Sequence, residues 1–317
     1  MINLVKNELM KIFSGRLTKI LFLLLIIVAV SFSVFAKIAI NKETAGNWRT
    51  GQEQIIEKNN GRLQVADLSP QLQAEAKNKV AIAEYRLKNN IAPQENNLWY
   101  TLLHSSGLFE WVVIFTIIIA ANIVAREYTD GTMKLLLIRP HSRGAILFSK
   151  YTAVVIYAVF SLILTIGAAY ITIDILYGFG SGIRTLGAAE LFINSQGQIE
   201  SLNIFRQCVK MYCLDIFPIM SYVTISFAVS TILKSSAVAV GSSLLLMILG
   251  NSMIEATSKL AWLKFLPFAN SDMSLYIFHL QPREEMTIGF SVSVLLIYII
   301  VLFGASFAIF KKRDVSI

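Results

Sequence analysis

The chain has 317 residues, 55% apolar and 15% charged, with a mean hydropathy of +0.62. Soluble domains run at about 45–50% apolar and about 25% charged, so disorder, a coiled coil and a small disulfide scaffold are excluded. A net charge of +8 fits either a nucleic-acid binder or the basic cytoplasmic loops of a membrane protein. Where the charges lie decides between them.

In chain order, residues 1–16 predict a short amphipathic helix. Ile2, Val5, Leu9, Ile12 and Phe13 recur at three-to-four spacing opposite Asn3, Lys6, Asn7 and Ser14. That is the pattern of a helix lying in a membrane interface, with Gly15 as a hinge. A crossing takes about 20 mostly apolar residues. Uncharged runs at 20–36, 111–125, 151–173, 216–233, 235–254 and 286–310 predict six spans. With their flanks these are 17–40, 106–125, 145–176, 209–233, 235–255 and 286–310. The fold class expected is an all-α integral membrane protein with six transmembrane helices and an N-terminal interfacial helix.

Residues 41–105 form the one sizeable loop. Ser69-Pro70 reads as an N-cap with proline at the first helical position, and Asn89-Asn90 with Pro93 closes that run. An earlier helix around 52–59 completes an extracellular helical hairpin between the first two spans. Residues 177–208 are expected as a second outer loop, in which the Gly178-Phe-Gly180-Ser-Gly182 run makes a flexible turn. No βαβ unit accompanies that run, as a nucleotide loop would require. Cys208 and Cys213 would lie about 7.5 Å apart along a helix axis, beyond disulfide reach, and are read as buried thiols. Residues 256–285 place Trp262, Phe265 and Phe268 near Pro267 and suit a re-entrant or interfacial segment. Residues 311–317 are a short tail.

On the side carrying both termini and the 126–144 connector stand 13 basic residues (6, 11, 16, 19, 126, 134, 139, 143, 150, 234, 311, 312 and 313) against four acidic ones (8, 127, 130 and 314). The remainder is nearly neutral. The positive-inside rule makes that side cytoplasmic, so the charge reports orientation and not nucleic acid. Multi-pass insertion in the cell membrane is expected, with both termini inside.

No catalytic or metal constellation is legible. His104 and His279 fall outside and His141 inside, and no Walker A loop, HExxH or nucleophile elbow occurs. Ionisable residues within spans are functional candidates. Glu110, Asp174 and Asp215 qualify as polar residues of a pathway or outer gate, though all lie near outer span ends. An ion-coupled secondary transporter would place such groups near the midplane. A membrane sensor or assembly protein, binding a ligand on the outer hairpin, is a further alternative, and an intramembrane enzyme has no motif in its favour.

The connector is the most informative stretch. Asp130-Gly131 makes an opening turn and Pro140 ends a short helix. Leu135, Leu136 and Ile138 offer an apolar knob ringed by Lys134, Arg139 and Arg143, suited to a groove on a cytoplasmic partner. Glu127, Gly131, Thr132, Leu136, Leu137, Pro140, Ser142 and Arg143 together resemble the ABC-2-type permeases, the bacterial membrane subunits of ATP-binding-cassette transporters. The six-span layout agrees, and the long first outer loop looks like that of the larger Gram-positive-type members. The resemblance implies an exporter-like, non-enzymatic subunit that pairs with a second permease chain, identical or homologous, in contact with membrane lipids. It also implies two ATPase subunits, which would bind ATP and magnesium while this chain holds no cofactor. The Glu127 to Arg143 stretch, with Lys134, would be the ATPase-coupling helix and 1–16 a second contact. The cargo expected is a hydrophobic or amphipathic compound such as a peptide, an antibiotic or a lipid-like molecule.

Overall fold

A computed structural model describes residues 1–44, 47–65, 68–94, 97–105, 107–133, 141–194 and 196–312. Helix α1 (Ile2–Ser14) stops at Gly15, whose extended backbone (φ −60°, ψ 136°) turns the chain into α2 (Arg16–Thr44). Then come α3 (Trp48–Leu63), α4 (Pro70–Asn89), α5 (Leu98–Leu103), α6 (Gly107–Thr129) and α7 (Arg143–Tyr177). After them stand the single turn α8 (Ser181–Arg184), strands β1 (Ala189–Ile193) and β2 (Ile199–Asn203), α9 (Ile204–Leu214), α10 (Ile216–Ile232) and α11 (Ser236–Ala256). Two 3-10 turns, Ala261–Phe265 and Phe268–Asn270, precede α12 (Ser274–Ile277) and α13 (Ile288–Lys312).

Among the described residues, five stretches are long and apolar enough to cross a membrane: Arg16–Ile40, Gly107–Thr129, Arg143–Tyr177, Ile204–Ile232 and Ile288–Lys312. The fourth joins α9 and α10 across Asp215. Helix α11 carries a shorter apolar stretch, Ser236–Gly250. The protein is therefore an all-α membrane protein, with one small β-hairpin among the described residues.

Helix α6 is the axis of the bundle and packs against α2, α7, α10 and α11. Its contact with α10 and α11 is made by small residues. Ala121, Ala125 and Ala239 form one buried cluster, and Ser230 Oγ accepts from the N–H groups of Val124 and Ala125 at 3.1 and 3.0 Å. Lipid tails are as apolar as any side chain, so helices associate through close packing of small residues and through such hydrogen bonds. In the apolar windows of α6 and of α9–α10, 61% of residues are buried, against 22% in α2 and α13. The last two thus stand at the periphery.

The end opposite α1 is capped by short elements. The start of α3 meets the end of α4, where Arg49 donates to Asn90 Oδ1 at 2.6 Å, and Ser69 Oγ caps α4 by accepting from Leu72 N–H. The buried Arg86–Glu190 ion pair ties α4 to β1. Strands β1 and β2 pair antiparallel from Ala189↔Asn203 to Ile193↔Ile199, where the sequence alone predicts only loop. Asn194 builds the turn: its Oδ1 accepts from the N–H groups of Gln196 and Gln198, and Gly197 takes φ +76°.

Gly250 of α11 presses on the outer 3-10 turn. A Cβ built there would lie 2.3 Å from Phe268 Cγ and 2.7 Å from its Cβ, too close for rotation of the ring to relieve. Gly250→Ala is expected to destabilise by about 1–3 kcal/mol through overpacking, and Phe268→Ala in the same chain should recover part of it. Equal melting temperatures for Gly250→Ala and the parent in detergent would refute that contact.

Candidate functional site

The largest concentration of unexpected chemistry lies where α1 meets the roots of α6 and α7. Lys150, on the face of α7 that also buries Ile146, Leu147, Ala153 and Tyr157, has a side chain only 1% exposed. Its Nζ donates to Glu8 Oε2 at 3.0 Å and to Glu127 Oε1 at 2.6 Å. Lys11 Nζ reaches the same two carboxylates, Glu8 Oε1 at 3.2 Å and Glu127 Oε1 at 3.3 Å. Positive and negative groups alternate around a four-cornered ring, so its formal charge sums to zero. Glu8 and Glu127 are 8% and 13% exposed, while Lys11 keeps 56% of its side chain in solvent. Burial lowers the pKa of the Lys11 ammonium, but Glu8 and then Glu127 outweigh it and hold it above the usual lysine range.

Local folding places each corner. Helix α1 buries Glu8 and Ile12, one turn apart, against α7. Phe13 packs edge-on to Tyr157 and Phe160, with ring centroids 6.3 and 5.4 Å away. Glu127 occupies the last turn of α6. Beside the ring a cleft of about 350 Å³ opens, lined by Leu4, Asn7, Glu8, Lys11, His141 and Ile146 among others.

The connector that joins α6 to α7 is rooted by further contacts on both sides. Gly131 takes φ +69°, a left-handed conformation that glycine adopts without penalty, and completes the turn predicted at Asp130-Gly131. Thr132 Oγ1 donates to the Glu127 carbonyl at 3.4 Å. Met133, 2% exposed, then drops into an apolar seat formed with Val124, Leu147, Phe227 and Phe310. At the far side Ser142 Oγ caps α7 by accepting from Ala145 N–H at 3.2 Å, and Arg143 Nη1 donates to the Lys311 carbonyl at 3.5 Å. Thr129 binds the α10–α11 turn, donating to the Lys234 carbonyl and accepting from Ser236 N–H, both at 3.2 Å.

Of the residues expected to couple the chain to a partner, Glu127, Gly131, Thr132, Ser142 and Arg143 therefore gather at one end of the bundle. Lys134, Leu136, Leu137 and Pro140 lie outside the described residues. Local pattern does not indicate Glu8, Lys150 or Met133. The one available hint was a lone lysine in helical register with Ile146, Ala153 and Tyr157, at the edge of an uncharged span.

The three outer carboxylates serve separate places. Asp174 braces its own loop, accepting from Ser181 Oγ at 2.7 Å and from the N–H groups of Gly180 and Gly182 at 3.0 and 3.1 Å. The glycine run predicted as a flexible turn is thus a tied one, with Trp99 Nε1 donating to the Gly182 carbonyl at 2.8 Å. Asp215 is buried at the α9–α10 junction, and Glu110 is exposed in the first turn of α6, where a carboxylate suits the positive end of the helix dipole. Both cysteines are free; Cys208 is buried, while Cys213 is exposed rather than buried as expected. Among the described residues no three His, Cys, Asp or Glu side chains come together as metal ligands would.

The fold and this site define a helical membrane protein whose α6–α7 connector is anchored by buried charge. The chain belongs to the family described as "Protein of unknown function (DUF2705)", which matches residues 69–316. It is similar to the uncharacterized protein YhcI of Bacillus subtilis (strain 168), with 32% identity over the full length of both chains. It is also similar to the uncharacterized membrane protein YdbK of the same organism, with 27% identity over 75% of this chain and 91% of that one.

Proposed function

We propose that the chain is the permease subunit of an ATP-binding-cassette exporter of the ABC-2 type, working with two copies of a separate ATPase and a second permease chain. In this reading α11 makes a sixth crossing and both termini face the cytoplasm, in keeping with the 13 basic and four acidic residues on that side. The observation that carries the proposal is the double rooting of the α6–α7 connector. Met133 seats it among α6, α7, α10 and α13, and Glu127 fixes it to Lys150. A displacement applied to the connector would pass into the centre of the bundle and not be absorbed at a hinge. Cargo is expected to be amphipathic or hydrophobic, and ATP hydrolysis belongs to the partner.

The test is reconstitution with an ATPase encoded in the same operon. The permease should co-purify with it and change its hydrolysis rate at least twofold. Leu136→Glu with Leu137→Glu should abolish that change while leaving the chain folded in the membrane. Unaltered coupling in the double variant would overturn the contact assignment. Transport that persists without any ATPase and collapses with the ion gradient would overturn the class.

A further inference from the structure

Helix α1 has the amphipathic pattern of a helix free to lie on a membrane surface, yet its most buried residues are Glu8 and Ile12. A carboxylate directed into the protein has no role in membrane adsorption, where apolar area and basic residues set the affinity. Glu8 instead shares Lys150 with Glu127, 3.0 and 2.6 Å away from the same Nζ. Lys11 closes the ring on its solvent-exposed side. Helix α1 is far from the other two in sequence: Glu8 and Lys150 are separated by 142 positions, whereas Glu127 and Lys150, on the two helices that the connector joins, are separated by 23.

We propose that α1 is a fixed arm of the connector: the alternating ring of Glu8, Lys150, Glu127 and Lys11 joins it to the roots of both α6 and α7, so that α1 and the connector root move as one body. Lys150 and Glu8 are then positioning residues. Neither needs to touch a partner, but together they determine where α1 stands when a partner engages the connector. The reason for using charge is geometric. Apolar contacts along α1, such as Phe13 on Tyr157 and Phe160, leave it able to roll or slide. A lysine satisfied by one carboxylate from each neighbour fixes both registers, because any slide strands a charge in a buried place. Two of the four acidic residues on this side of the chain are committed to the ring.

What the joint is for rests on the coupling role proposed above, whereas the joint itself can be tested on the chain alone. Spin labels would be placed at two exposed positions of the cleft, Asn7→Cys and His141→Cys, in a background carrying Cys213→Ala so that the remaining native thiol is the buried Cys208. In lipid nanodiscs the parent should give one narrow distance distribution. Glu8→Gln, which keeps size and removes charge, should at least double its width, while Glu8→Asp should stay close to the parent. Melting temperatures of the two variants within a few degrees of each other would separate positioning from general stability. An unchanged width in Glu8→Gln would overturn the proposal, as would equal broadening in both variants. If an ATPase complex is obtained, the 7–141 distance should stay constant within about 2 Å, on the order of half a helical turn, through nucleotide binding and release. A larger change there would overturn the one-body claim. Failure to bind any ATPase would count against the proposed function and leave the nanodisc result standing.

Discussion

Lys150→Met is expected to destabilise the fold by about 3–5 kcal/mol, because it takes the buried counter-ion from Glu8 and Glu127 and leaves them only Lys11, which stands largely in solvent. Against a total stability of about 5–15 kcal/mol, that is a large share of the margin, and recovery after heating should fall accordingly. The magnitude follows from which partner is deleted. Lys11 is more than half exposed, and the pairs it makes belong to the class worth about 0–1 kcal/mol, so Lys11→Met should be nearly silent. The decisive comparison is the triple variant Glu8→Gln, Lys150→Met, Glu127→Gln. It removes the three inner charges together and leaves Lys11 to the solvent, and replacing a whole buried ion pair by neutral groups of similar volume is often tolerated. Thermal unfolding in detergent, read by size-exclusion recovery after heating, should rank Lys150→Met far below the triple variant and below Lys11→Met. Comparable melting temperatures for Lys150→Met and the parent would mean that the carboxylates find water or another cation, and that the ring is not a structural joint.

How much of this was legible in the sequence follows from the range over which each signal acts. The membrane-crossing helices are written in uninterrupted apolar runs, so α6, α7, α10 and α13 fall where hydropathy places them. The turn at Asp130-Gly131 was equally local: an acidic residue and a glycine side by side, and Gly131 indeed takes φ +69°. The β1–β2 hairpin was missed although its turn chemistry is visible. Asn194 and Gly197 stand between two five-residue runs too short to outweigh a loop-rich context. The ring of charge could not be found by any local pattern. Lys150 reads as the basic flank of a span, and Glu8 as one polar residue of an amphipathic helix; only the folded chain shows that each completes the other. Asp174 shows the converse. A carboxylate near a span end invites a transport role; what the fold adds is that it accepts from Ser181 Oγ and from the N–H groups of Gly180 and Gly182 in its own loop.

Met133 supplies the second large expected effect, and it bears on the connector directly. Its side chain is 2% exposed and belongs to one buried cluster with Val124 of α6, Leu147 of α7, Phe227 of α10 and Phe310 of α13. Truncating a buried methionine to alanine generally costs about 2–5 kcal/mol, the upper part of that range applying where the surroundings cannot collapse into the cavity. Here four helices define the seat, and Leu147 and Phe227 are themselves fully buried, so little collapse is available. Met133→Ala is therefore expected to fall near the middle of the range, and Met133→Leu, close in volume, within about 1.5 kcal/mol of the parent. The two anchors of the connector are chemically different, a charged one at Glu127 and an apolar one at Met133, which makes their combination informative. If they hold one rigid body, Met133→Ala and Glu8→Gln together should destabilise by more or less than the sum of the separate changes, by about 0.5–3 kcal/mol as for residues in one network. Independent anchors would instead add to within about 0.5 kcal/mol. A double-variant cycle read by chemical denaturation in mild detergent distinguishes the two. Strict additivity would show that the apolar seat and the charged ring each hold the connector separately, and that motion at one is not felt at the other.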